Sequence, residues 1–292
     1  MGYGILTYVM WGLFPAYFPL LEPASAVEII AHRVMWTAVF VAGLVTSQRG
    51  WAKVARLFAE HGWRLGVAGL LIGCNWLVYV FAVNSGHVSD AALGYFINPL
   101  VSIVLGMVFF QERLRKFQVL AVTIAALAVL WLAFSQPTLP LIPLALALSF
   151  GFYGVIKKGL HVAPTISLMA ETLVLLPLAL GYIAWLQTQE RNTFVQEDIG
   201  HSVMLITTGL VTALPLLTFA LAAQRIPLGA LGMLQYITPT IQFIWALFIV
   251  HEEVTASRWI GFIAIWIAVA LYLIDLLRHR VPRRSRGLHS PD

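Results

Sequence analysis

The chain has 292 residues, of which 60% are hydrophobic and only 11% charged, with a formal net charge of +5. A soluble domain carries roughly a quarter charged residues, so these proportions exclude an ordinary water-soluble globule. Mean hydropathy is +0.85, which makes lipid the natural solvent.

Ten apolar stretches have the length needed to cross a bilayer, roughly 20 residues for a ~30 Å core. They run over 2–19, 27–47, 65–85, 89–110, 117–135, 141–159, 165–187, 201–221, 228–250 and 258–277. Backbone inside lipid must satisfy its own hydrogen bonds, which leaves helices or closed barrels. Barrel strands are short and alternate strictly; these runs are longer and apolar all round. The prediction is an all-α polytopic membrane protein of ten spans. The first span starts at Gly2 without a basic leader, which argues against a cleaved signal peptide. Cys74 is the single cysteine and reads as a small core hydrophobe.

The positive charge reports topology rather than a nucleic-acid partner. Fifteen of the eighteen Lys and Arg fall on one side when the segments are counted alternately, among them Arg49, Arg115, Lys157, Lys158 and Arg278. Arg191 and Arg258 fall on the other, and Arg33 lies within span two. The positive-inside rule places the basic side, and with it both termini, in the cytoplasm.

Two phrases stand 140 residues apart: Tyr95-Phe96-Ile97-Asn98-Pro99 in span four and Gln235-Tyr236-Ile237-Thr238-Pro239 in span nine. Glu112 and Glu252 share the spacing, as do Gly69 and Gly209. Five spans per half is an odd number, so the second half inserts upside down relative to the first. The expected units are 1–136, 137–277 and a basic, disordered cytoplasmic tail at 278–292. Proline-interrupted segments at matching places in two halves point to a binding site. Pro99 and Pro239 are the expected kinks.

Tyr95, Asn98 and Ser102 share one helical stripe at i, i+3, i+7. Their partners at the 140-residue shift are Gln235, Thr238 and Gln242. Both stripes facing one central cavity is the sharper reading; hydrogen bonding between packed helices is the plainer one. Trp11, Asn75, Tyr79, Tyr153 and Tyr236 join the candidate substrate contacts. Aromatics in membrane helices also serve as packing or interface anchors.

Span two carries Glu28, His32 and Arg33, and span seven carries Glu171. Charge at membrane depth usually faces a partner or a wet cavity. His32, Arg33 and Glu171 are expected as one buried polar cluster, with Glu171 the partner of Arg33. Snorkelling to the headgroups is the alternative for Arg33 and Glu28. The cluster would either couple protons or lock helices. Glu112 and Glu252 are expected to make helix-end or turn contacts.

These residues resemble the EamA family of the drug/metabolite transporter superfamily, in its RarD branch. The likeness rests on Glu28 through Trp36, Gly73 through Trp76, Leu93 through Pro99, Glu112-Arg113, Glu171-Thr172-Leu173 with Pro177, and Gln235 through Thr240. It implies ten helices in two inverted repeats, a bacterial cytoplasmic membrane and export of small metabolites or drugs.

The expected function is a secondary carrier working by alternating access on a small-molecule substrate, with protons a candidate coupling ion. No cofactor or metal is expected, and there is no G-x-x-x-x-G-K-[ST] phosphate loop. An intramembrane enzyme is the first rival: His251-Glu252-Glu253 begins like H-E-x-x-H, but residue 255 is threonine and the zinc pair is incomplete. A channel or a non-transporting sensor is the other.

Overall fold

The computed structural model describes residues 1–84, 88–134, 141–249, 251 and 256–278. The helices in chain order are α1 (Gly2–Gly12), α2 (Phe14–Tyr17), α3 (Ala26–Ser47), α4 (Trp51–Asn84), α5 (Val88–Phe110), α6 (Lys116–Phe134), α7 (Leu141–Gly159), α8 (Pro164–Thr188), α9 (Ile199–Ala223), α10 (Leu228–Gln235), α11 (Ile237–Phe248) and α12 (Ala256–Arg278). A 3-10 turn over Phe18–Leu21 follows α2. Among the described residues, ten spans are long and apolar enough to cross a membrane. The first combines α1, α2 and the turn; the ninth combines α10 and α11. Glu252 and residues 279–292 lie outside the described residues, so the expectations made for them receive no structural account.

The helix of span three, α4, starts earlier than hydropathy predicts, at Trp51 rather than near residue 65. His61 has non-helical angles (φ −134°, ψ 21°) and separates a polar lead-in from the apolar span. Lys53 and Arg56 keep that lead-in out of an apolar run, yet an exposed helix carries such residues readily. Arg56 and Glu60 pair along it at 2.7 Å.

The two prolines of the repeated phrases behave differently. Pro99 sits inside a helix that continues past it. Span nine is interrupted at Tyr236, three residues before Pro239. A proline ring clashes with the carbonyl four residues earlier, here Gln235, so a break just after Gln235 relieves it.

The duplication is visible in the packing. Span four packs on six as nine packs on one. Three packs on six as eight on one, and two on eight as seven on three. Spans two and seven, four and nine, and five and ten pack on each other, each pair its own image under exchange of the halves. The backbone repeats as well. Arg49 (φ 50°) and Glu190 (φ 54°) follow spans two and seven; Gln111 (φ 53°) and His251 (φ 57°) follow four and nine. Left-handed residues commonly terminate helices, so matching helix ends share one stop signal.

One large core joins spans one to four and six to nine around Tyr8, Tyr153, Phe219 and Leu234. A second joins spans four, five, nine and ten around Ile103, Met233, Phe243 and Ile265. Spans five and ten therefore stand to one side as a flanking pair. Glycines set the closest crossings. A Cβ on Gly209 would lie 2.4 Å from the Trp36 carbonyl carbon, and one on Gly232 2.8 Å from the Pro99 carbonyl oxygen. Cys74 is exposed on the outside of the bundle rather than in the core, a surface that lipid accommodates in a membrane protein.

Candidate functional site

A cavity of about 510 Å³ lies on the seam between the halves. Trp11, Asn75, Tyr79, Tyr95, Asn98, Gln235, Thr238 and Gln242 all line it, together with Arg33, Trp76 and Thr212. The two polar stripes of spans four and nine thus meet one space. The lining residues lie from mid-span toward the end of the bundle that carries residues 22–25 and 189–198. Below the cavity, Tyr8, Tyr153, Phe219, Leu228 and Leu231 are buried in one apolar core.

Several lining groups are held in place by backbone. The Thr238 hydroxyl donates to the Tyr8 carbonyl at 2.9 Å, tying span nine to span one. The Asn75 amide donates to the Leu146 carbonyl and the Ser149 hydroxyl, both at 2.9 Å. Asn98 Oδ1 and Gln235 Oε1 are buried acceptors with no hydrogen-bond partner among the described residues. Tyr79 and Tyr95 lie ring beside ring, 6.0 Å between centroids.

Three expected cavity residues sit elsewhere. Ser102 is buried in the crossing of spans four and nine, where Gly232 lets the backbones approach. Tyr236 is buried and donates to the Phe96 carbonyl at 3.1 Å. Tyr153 donates to Glu171 Oε2 at 3.2 Å beneath the cavity floor. Each lies on a face turned into helix packing.

The expected cluster of His32, Arg33 and Glu171 does not form. Consecutive helical residues diverge by about 100°, so His32 and Arg33 face different ways. Arg33 turns to the cavity, donates from Nε to Thr212 Oγ1 at 2.9 Å and lies 4.5 Å from the Trp76 ring centroid. His32 packs beside Phe194 and accepts from Trp36 Nε1 on Nδ1 at 3.3 Å. Glu171 pairs instead with Lys157 at 2.7 Å, both side chains nearly fully buried. Ser167 completes the set, accepting from Lys157 at 2.8 Å and donating to Glu171 at 2.6 Å. Lys157 was legible only as a basic helix end; its long side chain reaches back into the bundle. Glu28 does not snorkel either. It is buried, closes a capping box with Ser25 and accepts from the backbone N–H and hydroxyl of Thr193 at 2.7 and 3.0 Å.

More polar ties join the spans at the end away from the cavity. Glu112 accepts from the Leu228 and Gly229 backbone N–H groups at 2.7 and 2.9 Å. A carboxylate at a helix N-terminus meets both free donors and the positive dipole end, so Glu112 caps α10 from span four. Lys158 lies 3.4 Å from Glu112 and donates to the Ile226 carbonyl at 2.7 Å. Arg115 pairs with Asp275 at 2.7 Å, joining the start of span five to the end of span ten.

Family and relatives agree with this architecture. The EamA-like transporter family matches the sequence twice, over residues 1–134 and 139–274. The chain belongs to that family. A RarD protein of Streptomyces exfoliatus is 45% identical over 98% of this chain and 90% of its own length. The uncharacterized transporter YojE of Bacillus subtilis is 40% identical over 97% of this chain and 96% of its own. A solved structure at 17% identity superposes with a TM-score of 0.73 over 94% of this chain and 97% of that one; at that identity the likeness shows the fold alone. The chain is a multi-pass membrane protein with a transporter's role, and its family points away from an enzyme.

Proposed function

We propose that this member of the EamA-like transporter family is a secondary carrier that exports a small metabolite or drug by alternating access. Its setting would be a bacterial cytoplasmic membrane, with both termini in the cytoplasm. The single observation that supports this reading is the cavity itself. It is large enough for a small molecule, is lined from both halves, and lies toward one end of the bundle. With the basic side inside, the cavity faces outward and the ionic ties close the cytoplasmic end. The units 1–136 and 137–277 would rock about the seam, presenting the same lining to either side.

The aromatic and amide lining suits an aromatic or amphipathic solute. Trp11, Asn75, Tyr79, Tyr95, Asn98, Gln235, Thr238 and Gln242 are the proposed contacts. In reconstituted vesicles, Asn98→Ala and Thr238→Ala should each lower flux by more than they lower protein yield. Absence of flux across broad metabolite mixtures, with folded protein, would count against the carrier. Saturable flux separates it from a channel.

Glu171 supports a reading in which protons are the coupling ion. It lies beneath the cavity floor, and a void of about 20 Å³ lined by both Trp76 and Glu171 separates the two levels. Glu171→Gln should then change the pH profile of transport. An unchanged profile would leave Glu171 a structural residue.

A further inference from the structure

Arg33 is the only charged side chain among the described residues that line the cavity. No carboxylate lies within ion-pair distance of it among the described residues. The one protein acceptor it reaches there is Thr212, through Nε. Rings surround the guanidinium: Trp76 at 4.5 Å, Phe18 at 5.6 Å and Phe14 at 5.8 Å from its carbon. Thr212 takes the Nε–H, which leaves the two Nη nitrogens without a protein acceptor among the described residues. A cation at membrane depth is costly and usually answers to a counter-charge or to water. The Arg–carboxylate fork, with two parallel hydrogen bonds, is among the stronger charge-assisted geometries.

Asn98 Oδ1 and Gln235 Oε1 line the same cavity, are buried, and ask for donors. They are neutral. An ammonium placed between them would gain no ionic partner from the described lining and would share the cavity with Arg33. A hydroxyl or amide N–H would satisfy them without that repulsion.

We propose that the cavity selects an organic monoanion. Its carboxylate would lie on the Arg33 fork, its planar apolar body among Trp76 and Tyr79, and a neutral N–H or O–H donor on Asn98 or Gln235. The inference rests on the carrier reading only for the name of the cavity; the charge preference is a property of binding and is measured apart from flux.

Three probes share one body and differ in charge: N-acetyltryptophan is an anion, N-acetyltryptophanamide is neutral and tryptophan is a zwitterion. Equilibrium binding to purified full-length protein, read by calorimetry and by melting shift, should favour the anion at least tenfold over the other two. Arg33→Gln should abolish the preference, bringing the ratio of anion to amide binding down to about one. Arg33→Lys, which keeps the charge but loses the fork, should fall between the wild type and Arg33→Gln. Equal binding of anion and amide by the wild type would overturn the proposal. So would a preference that survives in Arg33→Gln, or no binding by any probe. If Arg33→Gln does not fold, the wild-type ratio and Arg33→Lys decide the matter. Anion binding without flux would keep this inference and remove the carrier; flux of neutral solutes without anion preference would do the reverse.

Discussion

The two ends of the bundle share a duplicated backbone and differ in chemistry. At the closed end, Lys157–Glu171, Lys158–Glu112 and Arg115–Asp275 join spans by charge. At the open end, no ion pair between spans occurs among the described residues; Glu28 works there through hydrogen bonds to its own helix start and to Thr193. Moved by 140 residues, Glu171 becomes Ala31, and Lys157 and Lys158 become Tyr17 and Phe18. Duplication preserved where the helices run and where they stop. It did not preserve which end is fastened by charge, so the two ends need not open with equal ease.

The sharpest way to break this comparison is at the buried pair. Lys157→Met leaves Glu171 without its counter-ion, and removing one partner of a buried pair typically costs about 3–5 kcal/mol. A large fall in melting temperature in detergent is expected. The double variant Lys157→Met/Glu171→Leu should regain most of it. Equal losses in single and double variants would show that the pair is not what fastens this end.

The second test compares the halves at equivalent glycines. A Cβ on Gly209 would meet Trp36 backbone at 2.4 Å, whereas one on Gly69 would meet the Glu171 carbonyl oxygen at 3.1 Å. Gly209→Ala should cost about 1–3 kcal/mol through overpacking, and Gly69→Ala clearly less. Melting of the two variants side by side checks the order, and a reversed order would show that span three is the tighter contact.

Smaller again is Glu112→Gln. The amide keeps one of the two acceptors that Leu228 and Gly229 use and loses the charge, an effect of roughly 0.3–2 kcal/mol. It should be seen as a modest melting shift that shrinks in high salt. Least of all, Arg56→Ala on the exposed lead-in of α4 should leave melting unchanged, since an exposed pair contributes little.

Much of this was legible in the sequence because lipid enforces simple rules. The ten spans follow from run length, and the shared register of Asn98 and Thr238 follows from the two proline phrases. Helical spacing then put Tyr95 and Asn98 on one stripe, and both line the cavity. Ser102 lies a turn further along the same stripe, but there spans four and nine already touch. The polar cluster was misread because partner choice depends on rotation about helices that sequence does not align. Nothing in the order of residues announces that Lys157 folds back to Glu171 while Arg33 turns to Trp76. The α4 lead-in was missed because its charges keep it out of an apolar run.

The flanking pair of spans five and ten gives the architecture a mechanical consequence. These two helices lean on each other across the boundary between the halves, are tied by Arg115 and Asp275, and contribute nothing to the cavity wall among the described residues. In the proposed carrier they would serve as an axle, staying together while the other eight tilt. A covalent clamp between spans five and ten should then spare turnover, whereas the same clamp across the cavity's mouth should freeze it.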